Sequence, residues 1–390
     1  MAQGNLSVAD TSLPSPRTRD HRIDVFRGIA LVMIFINHAP QNAFEALTSR
    51  NFGFSDAAEG FVLLAGVAAG LAYGDDFRRH DHWRGLARIM RRVWSIYLVQ
   101  ILITVVAIGT AAAAAKWFGA PDMMRNHGIW VLVTDPLGFL IGLPLLTHHL
   151  GYVDILPLYL VLLLALPALL WAALRWPIPL LILSLLLWAA AGHWRLNLPT
   201  YPVDGGWFLS PFSWQVLFVV GLLSGLATGQ AHRFVPRRRW LQWLTGGFVL
   251  FSAIWMNWPA FAEVMRSGLA VAHDAGLSQV FTHFDKTHLT APRLLHVLAL
   301  GYFLASLPAI RVLAQSRIAA PLALLGRQSL PVFALGTVLA FAIQTVKTET
   351  GQNLLLDSAM IATGLALQLG LAAARQYWPV TQHRSRDASA

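Results

Sequence analysis

Residues 21–40 read H-R-I-D-V-F-R-G-I-A-L-V-M-I-F-I-N-H-A-P, an apolar run bounded by Arg22, Asp24 and Arg27 at one end and by Asn37 and His38 at the other. A helix needs roughly 20 such residues to cross a bilayer, and this run supplies them. The pattern repeats outward. Ten apolar segments are counted, near 22–40, 54–74, 88–115, 153–174, 177–193, 212–230, 241–258, 293–313, 321–345 and 354–374. They are continuous rather than alternating, which excludes a β-barrel. A stretch of polar residues precedes the first of them, so no secretory signal peptide is expected.

Composition agrees. The 390 residues are 56% hydrophobic and 12% charged, with a mean hydropathy of +0.55. That is about half the charged fraction of soluble domains. The absence of Cys excludes disulfides, thiolate metal sites, a catalytic thiol and palmitoylation. The net charge of +10 suggests nucleic acid until its placement is considered. With the N-terminus inside, 21 basic residues fall on inner stretches or helix ends. The other 8, Arg50, Lys116, Arg125, Arg195, Arg266, Lys286, Arg293 and Lys347, fall outside. The basic charge therefore orients helices, and nucleic acid is not a partner. The expected architecture is all-α: a polytopic integral membrane protein of about ten transmembrane helices with both termini cytoplasmic. Residues 1–20 read as a disordered tail, 21–375 as the membrane domain and 376–390 as a second tail. The outer stretches 116–152 and 259–292 are semi-apolar, with room for a re-entrant piece at 136–146 or a lid over a site.

Ionisable groups inside a bilayer are expensive and mark functional sites. In the first span, Arg27 and His38 are eleven residues apart, about 16 Å and almost three turns, so they share a face at opposite ends. The plain reading is an inner anchor plus an interfacial histidine. The functional one is a cationic cradle for an inner anion and a proton acceptor near the outer face. The second span, F-S-D-A-A-E-G-F-V-L-L-A-G-V-A-A-G-L-A-Y-G over 54–74, puts Asp56 and Glu59 on the face continued by Gly66, Gly70 and Gly74. Small residues at four-residue spacing allow close helix approach, so these acids should face protein rather than lipid. Asp56 also suits a helix cap. Glu59, one of four Glu in the chain, would lie at the depth of His38 as an orienting carboxylate.

Other groups read less sharply. Arg88, Arg92 and Arg327 enlarge an inner cationic rim suited to phosphates, or simply orient their helices. Lys286, Arg293 and His296, with Asn37, are candidate ligands for a sugar or carboxylate near the outer boundary. Trp207 and Trp214 read as aromatic belt before carbohydrate platforms. No metal site is expected, since His148–His149 and His283/His288 lack an acidic or thiolate companion set in sequence. Phosphate-loop, dinucleotide, H-E-x-x-H and G-x-S-x-G patterns are absent.

The run from 19 to 42 followed by F-S-D-A-A-E-G-F-V-L-L-A-G resembles the opening of the OpgC family. D-I-L-P-L-Y (154–159), S-P-F-S-W-Q-V-L-F-V-V-G (210–221), P-R-L-L-H-V-L-A-L (292–300) and L-G-R-Q-S-L-P-V-F (325–333) resemble its later blocks, in order. The resemblance covers about 19–375 and extends to the wider acyltransferase-3 and transmembrane acyltransferase group. It implies a bacterial inner-membrane O-acyltransferase moving an acyl group, succinyl or acetyl, from cytoplasmic acyl-CoA to a periplasmic glucan. The essential first-helix histidine of that group matches His38, and its donor-associated arginines match Arg22 and Arg27. The family's S-G-Y-type motif in the second span is Ala65-Gly66-Val67 here. Acyl-CoA is then a co-substrate, with no permanently bound cofactor. The lipid bilayer and a glycan acceptor are the partners, and a homo-oligomer is compatible with the sequence.

On this reading His38 deprotonates the acceptor hydroxyl and Glu59 with Asp56 supports it. Direct transfer and a transient acyl-histidine both fit. The rivals are a proton-coupled secondary transporter, using Glu59 and His38 as a relay, and a non-catalytic glucan-export partner. The paired interrupted spans of many transporters are not visible in the sequence.

Overall fold

The computed structural model describes residues 20–350 and 352–378. The tails expected at 1–20 and 376–390 lie outside the described residues, apart from Asp20 and 376–378. The chain begins with α1 (His21–His38), α2 (Ala57–Arg78) and α3 (His82–Trp117), followed by the short α4 (Asp122–Arg125), α5 (Val131–Thr134) and α6 (Pro136–Gly142). Next come α7 (Ile155–Arg175), α8 (Pro177–His193), α9 (Pro211–Thr228), α10 (Arg239–Asn257), α11 (Pro259–Asp274) and the short α12 (Gln279–Thr282). The last are α13 (Ala291–Ser306), α14 (Pro308–Gln315), α15 (Ala320–Arg327), α16 (Ser329–Thr350) and α17 (Leu354–Tyr377). No strand occurs among the described residues, and the one β-bridge joins Pro199 to Gly206.

Every apolar segment read from the sequence is helical. Six helices (α2, α3, α7, α9, α16 and α17) are long and apolar enough to cross a membrane, or up to eight spans if each bent pair is one. The bends are 105° between α10 and α11 and 76° between α13 and α14. Each follows from a proline, Pro259 or Pro308, at the first position of the second helix, where it cannot continue the first. The remaining two segments fall short by that measure. α1 carries Arg22, Asp24 and Arg27 within its 18 residues, and α8 stops at 17. The segment expected at 321–345 is likewise two helices, broken at Gln328 (φ −104°, ψ 35°). The piece expected at 136–146 forms α6, capped by Asp135.

Glycines set the two closest crossings. A Cβ on Gly66 or Gly70 of α2 would lie 2.2 Å from Phe218 O or 2.6 Å from Leu222 O of α9. Gly221 and Gly225 of α9 reciprocate, at 2.1 Å from Leu63 O and 2.2 Å from Val67 O. The stripe anticipated on α2 therefore docks on a matching stripe of α9. At the second crossing, Gly28 of α1 meets Leu322 O of α15 and Gly326 meets Asp24 O, with Cβ distances of 2.0 and 1.8 Å. α16 runs parallel to α1, since Arg27 bonds Ser329 and His38 bonds Gln344. α17 returns antiparallel, Gly364 packing on Phe35 and Gln368 on Gly336. The hairpin is clasped by a buried ion pair, Lys347 Nζ to Asp357 Oδ1 at 2.6 Å. The end of α17 thus lies on the same side as the start of α1.

Candidate active site

α1 ends at His38 because Ala39 turns extended (φ −90°, ψ 102°) and Pro40 follows. Gln344 of α16 fixes this end, Nε2 donating to His38 O at 3.0 Å. Beside it Thr48 Oγ1 donates to Asn37 Oδ1 at 2.8 Å, so Asn37 is tied to the following loop. The His38 ring packs on Tyr152 at 4.5 Å between centroids, Tyr152 on His127 at 5.0 Å, and His127 on Phe341 at 5.4 Å. Both loop residues have left-handed backbone, φ 57° at His127 and 72° at Tyr152. Their loops are pinned to each other, Gly151 N–H donating to His127 O at 3.1 Å. Such conformations cost about 1–3 kcal/mol each and persist only where the surroundings enforce them. The stretch 116–152, read as a possible lid, therefore delivers two aromatic groups to His38. Burial holds the His127 imidazole below its ordinary pKa.

Below His38 a narrow crevice follows one face of α1. Leu31, Ile34, Phe35 and His38 form one wall, and Val332, Phe333, Gly336 and Thr337 of α16, with Gln368 of α17, form the others. One turn further toward the start of α1, Arg27 Nη2 donates to Ser329 Oγ at 2.5 Å. Arg327, two residues before Ser329, has a buried Nε with no partner. Arg27 and Arg327 thus stand at the end of the crevice opposite His38. The other expected inner arginines gather elsewhere. Arg22 bonds Asp20 (Nη2–Oδ2 2.6 Å) and Ala305 O. Arg88 bonds Asp76 at 2.5 Å and covers the Tyr73 ring, with Arg92 also in electrostatic reach of that tyrosine.

At the start of α2, Asp56 and Glu59 form a capping box: Asp56 accepts from Ala58 N–H, and Glu59 Oε2 accepts from Asp56 N–H at 3.0 Å. This geometry turns Glu59 back toward its own helix end. Arg293 Nε donates to Glu59 Oε1 at 2.7 Å and its Nη2 to Asp56 Oδ2 at 3.3 Å, while Lys286 Nζ donates to Asp56 Oδ2 at 2.6 Å. Both oxygens of Glu59 are therefore bonded away from His38, where an orienting carboxylate was expected. Arg293 and Lys286, expected to face substrate, instead neutralise the buried acids. The two charges on Asp56 and Lys286 still reach His38 electrostatically. His296 is buried too, its Nδ1 accepting from Ser55 N–H at 3.3 Å with Ser55 Oγ 2.7 Å away. Trp207 and Trp214 are not belt residues: they are 5% and 0% exposed, and Trp214 Nε1 donates to Lys286 O at 3.0 Å.

His127, Tyr152 and Gln344 lie in no motif, while Ser329 sits within the 325–333 block without standing out in it. Only the Gly151–Tyr152 and His127–Gly128 pairs hint at turns. Among the described residues there is no group of three or more His, Cys, Asp or Glu able to hold a metal. No curated protein and no solved structure matches the chain. The family described as OpgC protein matches residues 19–379, nearly its whole length. The blocks quoted from the sequence, the helices that carry them and this match agree, and the chain belongs to the OpgC family.

Proposed function

We propose that this member of a glucan-modifying acyltransferase family moves an acyl group from cytoplasmic acyl-CoA to a hydroxyl of a periplasmic glucan, with His38 as general base. The observation that carries the reading is the placement of Arg27 and Arg327 toward one end of α1 and of His38 at the other, with a narrow crevice of about 10 Å³ between them. Coenzyme A carries several phosphate charges and cannot cross about 30 Å of hydrocarbon. Its pantetheine arm is slim, and the crevice, with room for about one water, would have to widen between α1 and α16 to admit it. Guanidinium groups bind phosphate through paired, charge-assisted hydrogen bonds, so Arg27 and Arg327 would keep the nucleotide on the inner side while the thioester reaches His38.

The chemistry then balances at one centre. The imidazole accepts the hydroxyl proton as the acceptor oxygen attacks the thioester carbonyl. The C–S bond breaks as the new O–C ester forms, and the proton passes to the departing thiolate. Tyr152 packs on the ring with His127 behind it, and on this reading the pair would limit access of water to the thioester. A proton relay from Glu59 to His38 has less support, because both Glu59 oxygens are already bonded.

The test is transfer of radiolabelled acyl groups to glucan by His38→Gln and His38→Ala, measured beside thermal stability. Loss of a general base lowers the rate by about 10²–10⁴-fold, and Gln, unable to take the proton, should be nearly as damaged as Ala. A stable, active His38→Gln protein removes His38 from the chemistry.

A further inference from the structure

Away from the crevice, the outer face holds a recess of about 400 Å³ lined by Arg195, Asn197, Leu198, Pro199, Gly205, Gly206, Thr287 and His288. That volume lies within the range of small-ligand sites, about 300–1,000 Å³. Asp285, which does not itself line the recess, ties three of these residues together. Arg195 Nη1 donates to Asp285 Oδ2 at 2.7 Å, His288 Nδ1–H to the same oxygen at 2.9 Å, and Thr287 N–H to Oδ1 at 2.9 Å. The His288 hydrogen bond, with Thr287 N–H and Arg195 adding to it, holds the Asp285 carboxyl well below the usual carboxylate range. His288 is only 4% exposed, and its Nε2 is buried with no partner. With Nδ1 bonded to Asp285, Nε2 is a buried polar atom left without a partner, which costs about 1–3 kcal/mol. A ligand hydroxyl is the group that would meet it.

The other walls suit the same ligand. The charges of Arg195 and Asp285 cancel, so the recess favours an uncharged molecule. Leu198 and Pro199 add apolar lining to the hydrogen-bonding side chains, the mixed character a sugar ring needs. Gly205, at φ 151°, and Gly206 close it with backbone alone. The recess is tied through the backbone to the Asp56 cluster, because Lys286 lies between Asp285 and Thr287 and bonds Asp56 at the start of α2. We infer that this recess is a glucose-binding subsite for the acceptor chain, with Thr287 and His288 as hydrogen-bonding residues. The inference rests on the glucan-acceptor reading given above.

The experiment is calorimetric titration of the full-length protein, in detergent, with a linear glucohexaose. His288→Asn keeps a group able to bond Asp285 and removes Nε2; Thr287→Val removes a hydroxyl at constant shape. Each should weaken binding about twofold to tenfold, the worth of one hydrogen bond. Arg125→Gln, exposed on the outer stretch, should bind as the wild type does. Melting temperatures check the fold, and if His288→Asn is unstable, Thr287→Val decides. Unchanged affinity in the stable recess variants places the sugar elsewhere and leaves the acyl-transfer reading standing. A wild-type protein that binds no glucohexaose yet acylates another acceptor overturns the subsite together with the glucan acceptor.

Discussion

Replacing Glu59 by Gln removes one charge from a group that is neutral as built, Asp56 and Glu59 against Lys286 and Arg293. The 2.7 Å separation of Arg293 Nε and Glu59 Oε1 corresponds to a gross attraction of about 6 kcal/mol at an effective dielectric near 20. Desolvating each ion costs several kcal/mol, so the intact pair contributes little net stability, yet orphaning one partner costs about 3–5 kcal/mol. Exposure ranks the variants, because Glu59 and Arg293 are 0% and 13% exposed while Asp56 and Lys286 are 19% and 28%. Glu59→Gln and Arg293→Met should each destabilise by about 3–5 kcal/mol, and Lys286→Met by about 1–2 kcal/mol. The double variant Glu59→Gln/Arg293→Met leaves Asp56 facing Lys286 and should recover about 1–3 kcal/mol of the summed loss. Denaturant unfolding in micelles, followed by tryptophan fluorescence, measures all four. Single losses below about 1 kcal/mol, or a strictly additive double variant, would refute the buried-cluster reasoning.

Two further outcomes follow from other parts of the molecule. Gly326→Ala must part α1 from α15 by about 1 Å or more, overpacking that costs about 1–3 kcal/mol. It should also weaken acyl-CoA binding by moving Arg27 from Ser329. Gly247→Ala, which meets open space, is the control, and an unchanged donor affinity in a destabilised Gly326→Ala would make the crossing purely structural. Reporter fusions at Gly4 and Ser389 should both report cytoplasm, as the distribution of basic residues requires. A periplasmic signal from one of them alone would mean an odd number of spans, and from both an inverted orientation.

Much of this was legible where the signals are local. The apolar runs are contiguous in sequence, and Asp56 three residues before Glu59 is a capping box that needs no tertiary knowledge. The α2 glycine stripe announced a close neighbour without naming it, because spacing tells that a face is thin and not what lies on it. Arg293 and Lys286 read in sequence as ligands for a sugar or carboxylate, since their partners sit some 230 residues earlier. Electroneutrality was the available signal: two acids at the start of a span demand counterions, and few basic residues lie on the outer side. His127 and Tyr152 were out of reach. Their roles arise from left-handed turns in two loops that meet only in the folded chain. The clasp between Lys347 and Asp357 hid for a different reason, since at a hairpin end each looks like an ordinary flanking charge.

α9 ties these observations together without itself presenting a reactive group. Bilayers offer little hydrophobic drive between helices, so close packing of small residues must hold them. The reciprocal glycines of α2 and α9 leave no room for a Cβ on either side, and the register between the two helices is therefore fixed. α2 carries Asp56 at its outer end, while the outer end of α9 holds the segment opposite: Ser210 N–H donates to Thr287 O and Trp214 Nε1 to Lys286 O, both at 3.0 Å. A slip of one residue is about 1.5 Å along the axis, enough to break the 2.6 Å bond from Lys286 to Asp56. Gly66 lies ten residues beyond Asp56, about 15 Å away. The glycines thus act on the outer site at a distance, by fixing the separation and register of the helices that carry it.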